Sequence, residues 1–485
     1  MKTINRFFLI LLIASCSGLV AASNTPYHSQ NLPNLGTAAA TTLTIEQENR
    51  LGDTYMRALR GQRGINNDPV LNEYLNHLGY RLVAHADNVR TPFQFFLVNS
   101  NDINAFAFFG GYIGVHTGLF LHAETESELA SVMAHEIAHV TQRHLARSIE
   151  AQQRNSPASI AGIFGSILLA LAAPEAGIAA LQSTLALSQQ ASINYTRNHE
   201  LEADRIGIKT LVAAGFDPQG VPSFFGKLMA QSRYASKPPA ILLTHPLPES
   251  RIADSRTRAD QYPAVNLDHS LMFALAKARI QARYAGYELP QLLSLFEQQQ
   301  RQHRGAAQSA ALYGLTLVHL EQQQHETAQR GIDALLKSDP LNLFYLDTYT
   351  DIMLATKQYD KAISALTAAS ANRPNNSVIE INLANAYLES GDAATAKNLL
   401  ERHRILQPNN SIVLSLLIEV YQQLDLRAER HMAQAELLAL AANYQTAIDQ
   451  LQYAYRAAHN DPLQLARIDA RIKQLREAEQ QMKAL

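Results

Sequence analysis

The chain has 485 residues, too many for one ordinary core, so two or more domains are expected. Its 41 basic and 43 acidic residues nearly cancel, which removes nucleic acid from the partners, and 47% apolar residues suffice to fill the cores. Trp is absent and aromatics are few while Ala, Leu and Gln abound, a balance that favours helices over sandwiches or barrels.

The first segment, residues 1–22, has the three-part layout of a secretory signal: Lys2 and Arg6 precede the apolar run Phe7 to Ala14, and small residues follow. Two processing outcomes compete. Val20-Ala21-Ala22 suits a signal peptidase and soluble release, whereas Ile13-Ala14-Ser15-Cys16 reads as a lipoprotein box that would anchor the chain through Cys16. Cys16 is the one cysteine, so a mature chain without free thiols would suit an oxidising compartment. No other segment reaches membrane-spanning length. Export into a bacterial periplasm is the simplest reading.

Residues 42–262 read as helices around one short β region. "FQFFLVNS" (93–100) and "AFAFFGGYIGVHTG" (105–118) are rich in aromatic and β-branched residues, with Gly110-Gly111 as a turn or bulge. Within it, Phe109, Gly110, Gly111, Tyr112 and Ile113 read either as an edge strand that pairs with a peptide substrate or as an ordinary core strand.

"VMAHEIAHV" (132–140) follows. His135 and His139 stand at i and i+4 and share a helix face, so both imidazoles can reach one metal ion, with Glu136 beside them. Thr125 and Glu128 form a capping box for this helix, and Leu129, Val132, Met133, Ile137 and Val140 fill its other faces. Downstream, "NHELEADRIG" repeats the i, i+4 step with Glu200 and Asp204: Glu200 as third ligand, Asp204 as acceptor for the outer ring N–H of a ligating histidine. Three protein ligands and an open position are the mark of a catalytic site. His116, His122, His144 and His199 have no clear partner and read as structural or exposed, His144 because it lies off the ligand stripe. The apolar insert 157–177 has the length of a buried or interfacial helix, with core packing, cleft cover, substrate contact and peripheral membrane contact as its readings.

After about residue 268 Gly becomes scarce and a 34-residue period appears. Pro340, Pro374 and Pro408 keep it, as do Ala328, Ala362 and Ala396, with Ile332, Leu366 and Leu400 one turn after each alanine. Small residues at helix crossings and helix-stopping prolines are what stacked helix pairs need. Residues 268–485 thus resemble tetratricopeptide repeats, without the signature Trp and with the spacing lost after Arg430. A degenerate repeat at 443–462 and a capping helix end the stack.

The motifs "NAFAFFGGYIGVHTGL", "HEIAHVTQRH", "NHELEADRIG" and "THPLPESRI" occur in the order of the M48 zinc metallopeptidases, which the chain resembles over nearly its whole mature length. The fold class that follows is mainly α with a small β-sheet, a zincin-type domain and then an α-solenoid of repeats. The resemblance implies one zinc ion per chain on His135, His139 and Glu200, with Glu136 as catalytic base of an endopeptidase. It also implies outer-membrane protein quality control, with misassembled or stalled outer-membrane β-barrel proteins as substrates and the barrel assembly machinery as partner. A chaperone or scaffold with a latent zinc site is the competing expectation. His245 and Arg251, in "THPLPESRI", are candidates to stabilise the oxyanion. His245 has a second reading, as a gate that fills the open metal position until its loop moves.

Overall fold

The computed structural model describes residues 43–61, 64–155, 189–234, 238–263, 265, 270–458 and 461–483. The signal segment, Cys16 and the apolar insert 157–177 lie outside the described residues. Among those described, no helix is long and apolar enough to cross a membrane.

Helix α1 (Ile45–Gly61) leads to β1 (Ile65–Asn66), α2 (Pro69–Val83), β2 (Gln94–Val98), β3 (Ala105–Phe108), a 3₁₀ turn at Phe109–Gly111 and β4 (Tyr112–His116). The strands form one sheet in the order β1-β2-β4-β3, with β2 and β4 parallel and the other pairs antiparallel. Side chains alternate across it. Phe95, Leu97, Ile113 and Val115 enter the core shared with α2, while Phe96, Tyr112, Phe106 and Phe108 gather on the other face around Met56 of α1.

This topology corrects the edge-strand reading of Phe109 to Ile113. β4 is interior, with Ile113 opposite Phe95 on one side and Ala107 on the other, and all five residues are buried. The glycines serve chain packing instead. Gly110 and Gly111 have φ of 76° and 75°, and a Cβ on Gly111 would lie 2.0 Å from the Pro92 carbonyl oxygen. A strand apolar on both faces reads alike at an edge or a centre, and the neighbour that decides the matter, β3, is distinguished only by pairing.

The sheet is followed by α3 (Thr117–His122), α4 (Glu126–Thr141), α5 (His144–Asn155), α6 (Gln189–Ala213), α7 (Gly220–Tyr234), α8 (Ile241–Thr244) and α9 (Glu249–Ala259). The repeats then run as α10 (Leu271–Arg283), α11 (Leu289–Gln302), α12 (Ala306–Glu321), α13 (His325–Ser338), α14 (Leu343–Ala355), α15 (Tyr359–Asn372), α16 (Ser377–Glu389), α17 (Ala393–Leu406), α18 (Ser411–Gln423), α19 (Arg427–Leu440), α20 (Tyr444–Ala457) and α21 (Pro462–Lys483). The chain therefore adopts the expected class, mainly α with a small sheet and a helical stack.

Each periodic position has a physical job. Ala328, Ala362 and Ala396 are fully buried at helix crossings, and Ile332, Leu366 and Leu400 fill the core beside them. Pro340, Pro374 and Pro408 lie in the turns two residues past α13, α15 and α17. Asn342, Asn376 and Asn410 cap the next helices, each side chain accepting a first-turn N–H. A left-handed residue also recurs every 34 positions, at Gln323, Lys357, Gly391 and Asp425, closing the turn inside each helix pair.

The sheet-containing segment and the stack share a core: one apolar cluster runs from Val70 in α2 to Ala386 in α16. Arg279 of α10 is buried at this joint. It donates to Asp68 at 2.6 Å and to the Tyr313 hydroxyl at 3.0 Å, and pairs with Asp347 at 2.7 Å. Asp68 is also the N-cap of α2, accepting from Val70 and Leu71 N–H at 3.1 Å. One guanidinium thus ties the start of α2 to helices α10, α12 and α14.

Candidate metal centre

Helix α4 is the central rod, buried on nearly every face. Thr125 caps it by accepting the Glu128 N–H at 3.2 Å. The carboxylate of Glu128 reaches back one residue further than a capping box requires, to the N–H of Glu124 at 2.7 Å, and also holds Lys227. His135 and His139 face α6, on which Glu200, Asp204 and Gly207 lie along one stripe. A Cβ at Gly207 would stand 3.2 Å from the Cα of His135, so the absent side chain lets the two helices approach closely enough for their polar residues to meet.

They meet in one cradle. His135, His139, Glu200 and His245 each bring a ligand atom within 4.8 Å of the others. His135 Nε2 lies 3.0 Å from His139 Nε2 and 3.4 Å from Glu200 Oε2, and His139 Nε2 lies 3.4 Å from Glu200 Oε1. His245 Nδ1 completes the figure, 3.4 Å from His135 Nε2 and 3.1 Å from Glu200 Oε1. A tetrahedral ion with bonds of about 2.0–2.1 Å requires ligand atoms about 3.3 Å apart, so these residues fit a small divalent metal. The surrounding carboxylate agrees. Asp204 Oδ1 lies 3.0 Å from His135 Nδ1 and would accept its N–H, leaving Nε2 for a cation.

Glu136 is 1% exposed, and its Oε1 makes no hydrogen bond, with His245 Nε2 3.4 Å away. Burial by itself lowers the His135 pKa, but hydrogen bonds to Asp204 and Glu200 and their charges outweigh it and raise it to about 10. Burial raises the Glu200 carboxyl, and the facing His245, His135 and His139 then carry it far below its ordinary value. His139 is lowered, chiefly by burial.

Arg251 is buried with its donors committed: to Asp204 twice at 2.7 Å, to the Pro246 carbonyl at 2.7 Å and to Glu200 at 2.8 Å. It holds the two carboxylates of α6 in place. His245 follows the four-residue helix α8, whose Leu243 is exposed. A small apolar cavity of about 30 Å³ opens beside these groups, lined by Val132, Ile208, Phe224, Phe225, Leu228 and Leu242 among others.

Two histidines expected to be structural or exposed touch the cradle. His144 is 3% exposed, with Nδ1 2.9 Å from His139 Nδ1 and Nε2 3.1 Å from Glu202 Oε2, and His199 stacks on it at 4.3 Å. On an unbroken helix His144 would lie about 140° around from His139. The helix breaks at Arg143, whose φ is 54°, and α5 restarts so that His144 returns beneath His139. No local residue type announces that break. Burial first, then the neighbouring cations, lower His144 to about 2 and His199 to about 4. His116 is half-buried against Phe106, and His122 is exposed.

The profile of peptidase family M48 matches residues 69–259, and a tetratricopeptide-repeat profile matches residues 353–418. The β-barrel assembly-enhancing protease of Escherichia coli strain K12 is 47% identical over 455 residues, 94% of this chain and 93% of its own. A Vibrio cholerae protein described in the same terms is 50% identical over 470 residues, 97% of this chain and 96% of its own. The mitochondrial metalloendopeptidase OMA1 of Arabidopsis thaliana is similar over a shorter stretch, 32% identical over 145 residues, 30% of this chain and 27% of its own. With near full-length likeness to such relatives and a metal cradle of this geometry, the chain belongs to peptidase family M48 and is a metallopeptidase.

Proposed function

We propose that this chain is a zinc endopeptidase of the periplasm that degrades misassembled outer-membrane β-barrel proteins and assists their assembly, docking on the barrel assembly machinery through its repeats. The observation that carries the reading is the cradle of His135, His139 and Glu200 beside buried Glu136, in a chain that matches assembly-enhancing proteases over nearly its full length. The signal layout of residues 1–22 supports the location. The mixed imidazole and carboxylate donors at tetrahedral spacing favour zinc among the divalent ions.

When bound, zinc would supply Lewis-acid polarisation of the scissile carbonyl and acidify the attacking water. Glu136, with an oxygen unclaimed by any hydrogen bond, takes the water's proton and returns it to the leaving amine. Asp204 fixes the tautomer of His135, and Arg251 holds Asp204 and Glu200 in register. An extended peptide adds to the outer side of β3, which among the described residues pairs with β4 alone. His245 acts as a gate: its Nδ1 stands at the fourth corner, where water and substrate must enter, and its Nε2 faces Glu136. Exposed Leu243, two residues earlier, gives a substrate or partner a handle on that gate.

The same position of His245 favours a second reading, a scaffold whose site stays shut. Cleavage of an unfolded outer-membrane barrel protein by the purified zinc-loaded chain separates them. Glu136→Gln is expected to lower cleavage about 10²–10⁴-fold at unchanged zinc content. His245→Ala is expected to raise it. Zinc uptake without cleavage by either the native chain or His245→Ala would leave the scaffold.

A further inference from the structure

We infer that His144 is a positioning residue for the metal centre, fixing His139 in its Nδ1–H tautomer through a relay that ends on Glu202. This rests on His139 being a metal ligand, as proposed above.

The two ligand histidines differ in what stands behind them. His135 Nδ1 faces the carboxylate of Asp204 at 3.0 Å, whereas His139 Nδ1 faces another imidazole, His144 Nδ1, at 2.9 Å. Two ring nitrogens at that distance share one proton, so one donates and the other accepts. A His139 that turns Nε2 to the metal must carry its proton on Nδ1, which makes it the donor. His144 must then accept on Nδ1 and carry its own proton on Nε2, where Glu202 Oε2 receives it at 3.1 Å. Arg147 donates to the same oxygen at 2.9 Å. The chain His139, His144, Glu202, Arg147 therefore has one consistent assignment of donors and acceptors, and it leaves the His139 lone pair pointing into the cradle.

Packing fixes the rings as well. His139 and His144 meet edge to face at 4.8 Å with planes 78° apart, and His199 stacks on His144, 11° from parallel. His144 is thus held at its edge by His139 and on its face by His199. The residue that aims it is Arg143, in the left-handed region and pinned by Glu48 of α1. The arrangement is thus built from three separate segments, and Glu202 sits on the same helix as the third ligand, Glu200.

The test is zinc affinity of the metal-stripped full-length chain, read by competition against a chromophoric chelator. Asn places a side-chain oxygen close to where Nδ1 of His lies and keeps the acceptor, whereas Leu keeps bulk and loses it. His144→Leu is expected to bind zinc about 10–100-fold more weakly, with His144→Asn within about threefold of the native chain. Native affinity in His144→Leu overturns the inference, as does an equal loss in Leu and Asn, which would mean that the site needs the ring's volume and not its acceptor. Should His144→Leu fail to fold, Glu202→Ala decides: zinc bound several-fold more weakly supports the relay, and unchanged affinity overturns it. A native chain that takes up no zinc would overturn the metal reading together with this one, whereas zinc uptake that every variant retains overturns this one alone.

Discussion

The metal cradle and the repeat stack are both helical, yet opposite kinds of contact hold them together. In the cradle, residues 48, 135, 204 and 251 come from segments far apart in sequence and are cross-braced by buried charge: Arg251 alone spans Asp204 and Glu200, and Asp204 passes the constraint on to His135. In the stack, each helix packs mainly on its neighbours through small and branched apolar residues that return every 34 positions. The first is a network in which one removal exposes several unsatisfied groups. The second is a row of nearest-neighbour terms, so damage stays near its origin.

Three substitutions probe that contrast. Arg251→Met leaves Asp204 and Glu200 buried without their guanidinium and is expected to cost about 3–5 kcal/mol in the metal-free protein. Urea unfolding would measure it, and protection from hydrogen exchange should fall across α4 and α6 together. A loss confined to α9 would mean that the cradle is as local as the stack. Leu366→Ala, in a core position 1% exposed, is expected to cost about 2–4 kcal/mol. Exchange should quicken in α15 and its neighbours while cleavage of a short peptide stays at the native rate; a fall in that rate would show the stack to be coupled to the site. Lys357→Gly has the smallest effect. Lys357 has φ of 57°, a conformation that costs most side chains about 1–2 kcal/mol and Gly almost nothing. After the entropy that Gly adds to the unfolded chain, a gain below about 1 kcal/mol is expected in thermal unfolding.

Legibility in sequence follows the same divide. The period of Ala328, Ala362 and Ala396 could be read because each alanine meets the same neighbour, so one local rule repeats. The cradle was legible where it too is periodic: the i, i+4 pairs His135–His139 and Glu200–Asp204 converge in space as their spacing requires. Where the chain leaves the period, the reading failed. His144 looked remote from His139 because a continuous helix would place it there, and the turn at Arg143 is enforced by Glu48 and Leu43, about a hundred residues away. The recurrent left-handed turn of the stack was equally hidden, since Gln323, Lys357 and Asp425 hold it without glycine. The role of Phe109 to Ile113 depended on which strand lies beside β4, a long-range fact that alternation does not encode.

Helix α1 touches both worlds. Its Glu48 pins Arg143 behind the histidines of the cradle, and its Arg57 donates to the carbonyl of Ala439 in α19 at 2.9 Å, across 382 positions of sequence. A contact of that span carries a large loop-closure cost and cannot form before the stack is in place as far as α19. Helix α1 therefore receives one of its anchors late in folding, and the peptidase is fully braced only after the far part of the stack has folded back on it.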